Sequence, residues 1–132
     1  MKERTDLVQG WLRKAASNFT TLEAAQKAQA YDAACFHAQQ AVELYLKAYL
    51  IFHETGFPLT HNLTKLVDIC IELDSSFSLI LSIVEPLTPY AVELRYDHEF
   101  WPDEKTVEQA KTAVMEVKVF IRDRLPVKIW VE

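Results

Sequence analysis

The sequence predicts an all-α fold, an antiparallel up-and-down bundle of five to six helices. Three observations carry that prediction. The 132 residues include only two glycines, too few for the tight turns of a β-rich chain. The stretch from Tyr31 to Ala48 contains neither glycine nor proline and is rich in strong helix formers. Apolar residues also recur at helical spacing along most of the chain, as on helices that bury one face.

Each element follows from that period and its interruptions. Leu7, Trp11, Ala15, Asn18/Phe19 and Leu22 keep helical spacing from about Asp6 to Lys27, and Thr5 or Asp6 can cap the first turn. Ala28-Gln29-Ala30 carries no breaker, so the pattern leaves the end of this helix open by several residues. A second helix is predicted from about Tyr31 to His53. Its stripe of Ala34, Ala38, Ala41, Val42, Tyr45, Leu46 and Tyr49 is small at the start and large later. Small residues let a neighbouring helix come close, which makes this the central element. Gly56, with Pro58 beyond it, is the expected stop.

Thr60 is the expected N-cap of a third helix that buries Leu63, Leu66, Val67, Cys70 and Leu73. Asp74-Ser75-Ser76 interrupts the pattern and offers caps for the next element. Phe77, Ile80, Leu81 and Val84 outline a short fourth helix ending near Glu85. Pro86 suits the first turn of a following piece, Leu87 to Leu94, so these read as two helices or one kinked rod. Arg95 to Pro102 is a loop. Asp103 caps the last helix, where Val107, Ala110, Val114, Val117, Ile121 and Arg124/Leu125 hold the period until Pro126. Residues 1–126 are thus expected to form one bundle and residues 127–132 a tail. Ile129, Trp130 and two valines are unusual in a solvated end, so the tail is expected to dock on its own bundle or on a partner.

Half of the residues are hydrophobic and a quarter charged, the ordinary balance of a soluble globular protein. The formal charge of −5 argues against broad, sequence-blind binding to a polyanion and leaves room only for a local basic patch. Cys35 and Cys70 fall on or near apolar stripes and read as buried, reduced thiols. His37, His53, His61 and His98 lack ligand spacing and neither cysteine belongs to a CxxC pair, so no metal site and no cofactor are expected. A Gly-rich phosphate loop and a nucleophile elbow are both missing. No stretch approaches a membrane span, and Met1 to Asp6 has no apolar leader core, which makes a cytoplasmic location the expectation.

The run Ala38-Gln39-Gln40-Ala41-Val42-Glu43 followed by Leu46-Lys47-Ala48, preceded by Tyr31-Asp32 and Phe36, resembles the signature helix of the HEPN family. His61-Asn62-Leu63-Thr64-Lys65-Leu66, the pair Arg95-Tyr96 and the amphipathic last helix fit the same family, so the likeness spans about Asp6 to Leu125. It implies a HEPN-like bundle of the small stand-alone prokaryotic type, forming a homodimer. It further implies a nucleotide- or RNA-associated binding module acting with a minimal nucleotidyltransferase in a toxin–antitoxin-like pair.

Many HEPN proteins are metal-independent ribonucleases with an Arg, four to six residues, and a His near the start of the last helix. Carried over here, that implies Arg95 holding the scissile phosphate and His98 assisting proton transfer in attack by the ribose 2′-hydroxyl. A dimer would bring two such pairs together. In this chain only Tyr96 and Asp97 separate the two, and both lie upstream of the last helix. The branch of the family with an Arg-Tyr pair and a weak or absent histidine motif fits better.

The nucleotide- or RNA-binding candidates are Gln39, Glu43, Lys47, His61, Arg95 and Tyr96. Gln39, Glu43 and Lys47 follow one another at i, i+4 on one side of the second helix. Lys47 could neutralise a phosphate while Gln39 reads a base or sugar hydroxyl. The structural alternative, which is favoured, is an ordinary Glu43–Lys47 helical ion pair in which Arg95 shares Glu43. Either way these residues are expected to cluster near Arg95. His61 is expected to cap backbone or face the Arg95 loop, and His37 to be solvated. Phe36, Tyr45, Tyr49, Tyr90 and Phe100 read as core or interface groups; only Tyr96 and Trp101 are candidates for stacking a base. A purely structural interaction protein, whose polar cluster only fixes helix register, is the remaining alternative. Apolar surface sufficient for a core plus an exposed seam independently suggests a homodimer.

Overall fold

Helix α2 (Tyr31–Phe52) runs through the middle of the protein, in a computed structural model that describes residues 2–130. Its small apolar residues Ala34, Ala38, Ala41 and Ala48 are fully buried, and α1 (Lys2–Lys27) and α5 (Glu104–Arg122) lie against it. Small side chains let those helix axes approach, so the stripe that marks α2 as central also fixes its neighbours. The architecture is all-α, with α3 (Leu63–Leu73) and the short α4 (Leu81–Val84) completing five α-helices and no strand among the described residues.

The helix ends correct several expectations. α1 begins by Lys2, so Thr5 and Asp6 lie inside it rather than capping it. Its buried residues are Val8, Leu12, Ala15 and Leu22, whereas Leu7 is half exposed. The α1–α2 turn closes with Ala30 N–H on the Ala25 carbonyl at 2.8 Å and Gln29 N–H on the Gln26 carbonyl at 3.0 Å. Gln29 takes the left-handed conformation (φ 62°) that this Schellman closure requires. α2 ends in the same way at Glu54 (φ 53°), with Thr55 N–H on the Leu50 carbonyl at 2.9 Å. Gly56 is therefore not the stop; the chain has already turned two residues earlier. Asn62, not Thr60, caps α3, accepting the Lys65 N–H at 3.3 Å, while the Thr60 hydroxyl accepts the Asn62 N–H. Leu73, expected in the core, is exposed at the end of α3.

Between α3 and α5 the sequence left one rod or two. The structure has a 3₁₀ helix (Ser75–Ile80), α4, and a second 3₁₀ helix (Glu85–Tyr90) in direct succession. Pro86 and Pro89 remove two backbone donors from the last piece, which favours short i→i+3 turns over a continuous α-helix. Regular structure stops at Tyr90 rather than Leu94. Asp103 caps α5 as expected, accepting the Thr106 N–H at 2.9 Å. Beyond α5 a 3₁₀ turn (Val127–Ile129) buries Ile129 and places Trp130 against Tyr45, with ring centroids 6.3 Å apart. The Gln9 amide donates to the Ile129 carbonyl at 3.2 Å, so this part of the tail docks on its own bundle. Val131 and Glu132, the end of the expected tail, lie outside the described residues, as does Met1.

Candidate functional site

The glutamine–glutamate–lysine edge of α2 forms a closed, buried network. Glu43 is 5 % exposed and Lys47 8 %, while Gln39 is fully buried. The Lys47 ammonium donates to Glu43 Oε2 at 2.8 Å, and the Gln39 amide donates to Glu43 Oε1 at 3.0 Å. His61 Nδ1 lies 2.9 Å from the same Oε1. A carboxylate only accepts, so Nδ1 carries the proton and Nε2 is the ring nitrogen left over. Burial pushes the Glu43 carboxyl upward, but the hydrogen bonds from Lys47, His61 and Gln39 outweigh it and hold the group below its ordinary range. Gln39 also donates to the His61 carbonyl at 2.9 Å and accepts from the Gln40 amide at 2.7 Å.

This network works as a clamp. It ties the loop before α3 to α2 through both the backbone and the ring of His61, and the Lys47 ammonium sits 5.4 Å from the Phe57 ring of that loop. With Glu43 beside it, the Lys47 charge is already neutralised. The sequence left two readings of this edge, and the geometry favours the structural one.

Arg95 is not part of it. Its guanidinium lies over the Phe36 ring at 3.9 Å and beside the Tyr96 ring at 5.7 Å. Phe36 precedes Glu43 by seven residues, about 10 Å along the helix axis. The expected sharing of Glu43 by Arg95 does not occur, and His61 faces Glu43 instead of the Arg95 loop. The reason is the path of the chain. The 3₁₀ helix Glu85–Tyr90 leaves it at the N-terminal end of α2, where Tyr90 stacks on Phe100 at 5.6 Å and bonds to the Cys35 thiol.

Around Arg95 the loop forms a shallow open cleft lined by Asp32, Arg95, Tyr96, Asp97, His98 and Trp101, with Leu94 and Phe100 behind. Tyr96 is 77 % exposed and Trp101 74 %. Arg95 has no carboxylate partner among the described residues; its only contacts of note are the two rings. Asp97 accepts the Glu99 N–H at 2.9 Å and so shapes the turn. The cleft thus offers one cation that is ion-paired with neither carboxylate lining it, two exposed aromatic faces and one imidazole. Phosphate, base and proton-transfer chemistry can use all of these.

His37 corrects the expectation of a solvated side chain. It is half-buried, its Nδ1 lies 2.8 Å from Asn18 Oδ1 on α1, and burial together with the nearby Arg95 charge lowers its pKa. Sequence reasoning missed Asp32 as a cleft residue and Phe36 as the seat of Arg95. The i, i+4 spacing of Asp32 and Phe36 on the first turns of α2 was the available signal. Cys35 and Cys70 are buried free thiols. Among the described residues no group of three His, Cys, Asp or Glu side chains is placed to hold a metal ion, and no helix is long and apolar enough to cross a membrane.

The family model described as the HEPN domain matches residues 8–125, nearly the whole chain and both the α2 edge and the Arg95 loop. No curated protein and no solved structure matches. The match covers most of the all-α chain, and the chain belongs to the HEPN domain family, a nucleotide- or RNA-related helical module.

Proposed function

We propose that the protein is a nucleotide- or RNA-binding module whose ligand site is the Arg95–Trp101 loop, with the α2 clamp as its scaffold. One observation carries the reading: Arg95 is an exposed cation held in place by aromatic rings rather than by a carboxylate. Stacking on Phe36 orders the guanidinium while leaving its charge available to a phosphate. Tyr96 and Trp101 on either side supply faces for a base. Of the other sequence candidates, Gln39, Glu43, Lys47 and His61 act indirectly, by fixing α2 and the loop before α3.

The family likeness supports a wider reading: a cytoplasmic homodimer that works with a separate minimal nucleotidyltransferase in a toxin–antitoxin-like pair. A second reading, a metal-independent ribonuclease using Arg95 and His98, is favoured by one fact only, that both residues line the same cleft.

One experiment separates these. Fluorescently labelled single-stranded RNA and free ATP are titrated with the full chain in the presence of EDTA, and the RNA is then run on a gel. Binding without cleavage is expected, weakened about tenfold by Arg95→Ala and by Trp101→Ala, with a shallower salt dependence for the arginine variant. Lys47→Met should leave affinity unchanged. RNA cleavage lost in both Arg95→Ala and His98→Ala would instead establish the nuclease. Binding that depends on Lys47 and ignores Arg95 would overturn the site assignment, and no binding of either ligand would leave a structural protein.

A further inference from the structure

The exposed side of α5 carries a ridge that nothing among the described residues covers. Met115 is 51 % exposed and Val119 57 %, and they stand one turn apart on the same side of the helix. A shallow apolar groove lies on each flank of this ridge, and the ridge residues line both. The groove toward α1 is floored by Ala16, Phe19 and Val114, and among the described residues Lys118 gives it a positive charge and no carboxylate lines it. The groove toward α4 is floored by Ile80, Ile83 and Phe120, and its charged residues are Glu116 and Asp123, with no cation. Leu79, 69 % exposed, stands at the outer edge of that acidic groove. Lys118, Glu116 and Asp123 make no ion pair among the described residues.

An apolar ridge between a cationic and an anionic groove is self-complementary in only one orientation. If two copies meet across a two-fold axis perpendicular to α5, like flanks face each other and Lys118 meets a cationic groove. If the axis runs along α5, opposite flanks face each other. Lys118 of one copy then stands beside Glu116 of the other, offset by two residues or about 3 Å of helical rise. The protruding Leu79 meets the groove floored by Ala16 and Phe19, and Met115 and Val119 pack on their own counterparts. Isologous contacts of this kind close at two copies.

We propose that α5 is the seam of a homodimer whose two-fold axis runs alongside that helix, with the Lys118 flank of each protomer seated on the Glu116–Asp123 flank of its partner. This gives the homodimer of the proposed function its surface and rests on that part of the reading, but it does not involve the Arg95 loop. The charges decide orientation because apolar contact alone would accept either axis.

The test is charge reversal read by sedimentation velocity on the full chain at micromolar concentration. The wild-type chain should sediment as two copies. Lys118→Glu and Glu116→Lys, both exposed changes, should each weaken the dimer about 10- to 100-fold, because every symmetric contact becomes a like-charge pair. Mixing the two variants should restore a dimer containing one of each, and the double variant should self-associate again. Val119→Asp should be monomeric, with circular dichroism confirming an intact helical fold. A wild-type monomer would overturn both the seam and the homodimer. A dimer indifferent to the reversals, or reversals that do not rescue each other, would overturn the seam alone. RNA and ATP binding at Arg95, measured on the same samples, reports separately on the ligand site.

Discussion

Replacing Glu43 by leucine should be among the most damaging single changes in this protein, although Glu43 touches no proposed ligand. The substitution removes the acceptor of three hydrogen bonds, from Lys47, Gln39 and His61. It strands the Lys47 ammonium, 8 % exposed, with the Phe57 ring as its remaining neighbour. Leaving a buried charge without its partner costs about 3–5 kcal/mol. For a chain of 132 residues the unfolding entropy is about 0.28 kcal/mol per degree, so a loss near 4 kcal/mol lowers Tm by about 14 °C. Adding Lys47→Met should recover most of that loss, since an apolar pair of similar volume needs no solvation. Thermal unfolding followed by circular dichroism, with urea titration as a check on m, measures both steps. A Glu43→Leu variant within about 1 kcal/mol of wild type would refute the clamp. So would a double variant no more stable than the single one, because the cost lies in the stranded ammonium rather than in lost contacts.

The same clamp sets a pH dependence. Glu43 has a lowered carboxyl pKa in the folded state, so the unfolded chain binds the proton more readily, and stability falls as pH drops from about 4.5 through the lower folded value. Glu43→Gln should flatten that acid limb of a urea-midpoint against pH plot. Burial raises the Cys35 thiol to about 11 and the Cys70 thiol to about 12, so a thiolate-selective reagent at pH 8 should label neither in the native protein and both in urea. Ile129 is 1 % exposed beneath the C-terminal turn, and Ile129→Ala should cost about 2–4 kcal/mol by urea denaturation if that turn belongs to the core. A loss under about 0.5 kcal/mol would mean that the turn only rests on the surface.

How the two candidate clusters divide was only partly visible in the chain. The Gln39, Glu43 and Lys47 spacing put three polar groups on one side of one helix, and that much is a consequence of helical period alone. Whether they face solvent or protein depends on where the loop before α3 returns, and no local signal gives that path. His61 belongs to the cluster because its backbone and ring are laid back onto α2 from eighteen residues away. Arg95 was legible as a functional candidate through its motif and its loop. Its separation from Glu43 was not, because it follows from the succession of short turns between Ser75 and Tyr90, whose length and direction the prolines constrain only loosely.

The sequence by itself determined the all-helical class, the central position of α2, the Asp103 cap and the reduced, buried cysteines. These rest on interactions within a few residues, or on burial that composition and period impose wherever the chain goes. The tertiary structure decided which of two adjacent stripes on α1 is buried, Val8 rather than Leu7, since a helix tolerates either rotation until a neighbour fixes one. It also decided that the α2 charges close on themselves while the Arg95 charge stays open. The physical reason is the same in both cases: local periodicity sets which side chains share a face, but only long-range packing sets what that face meets.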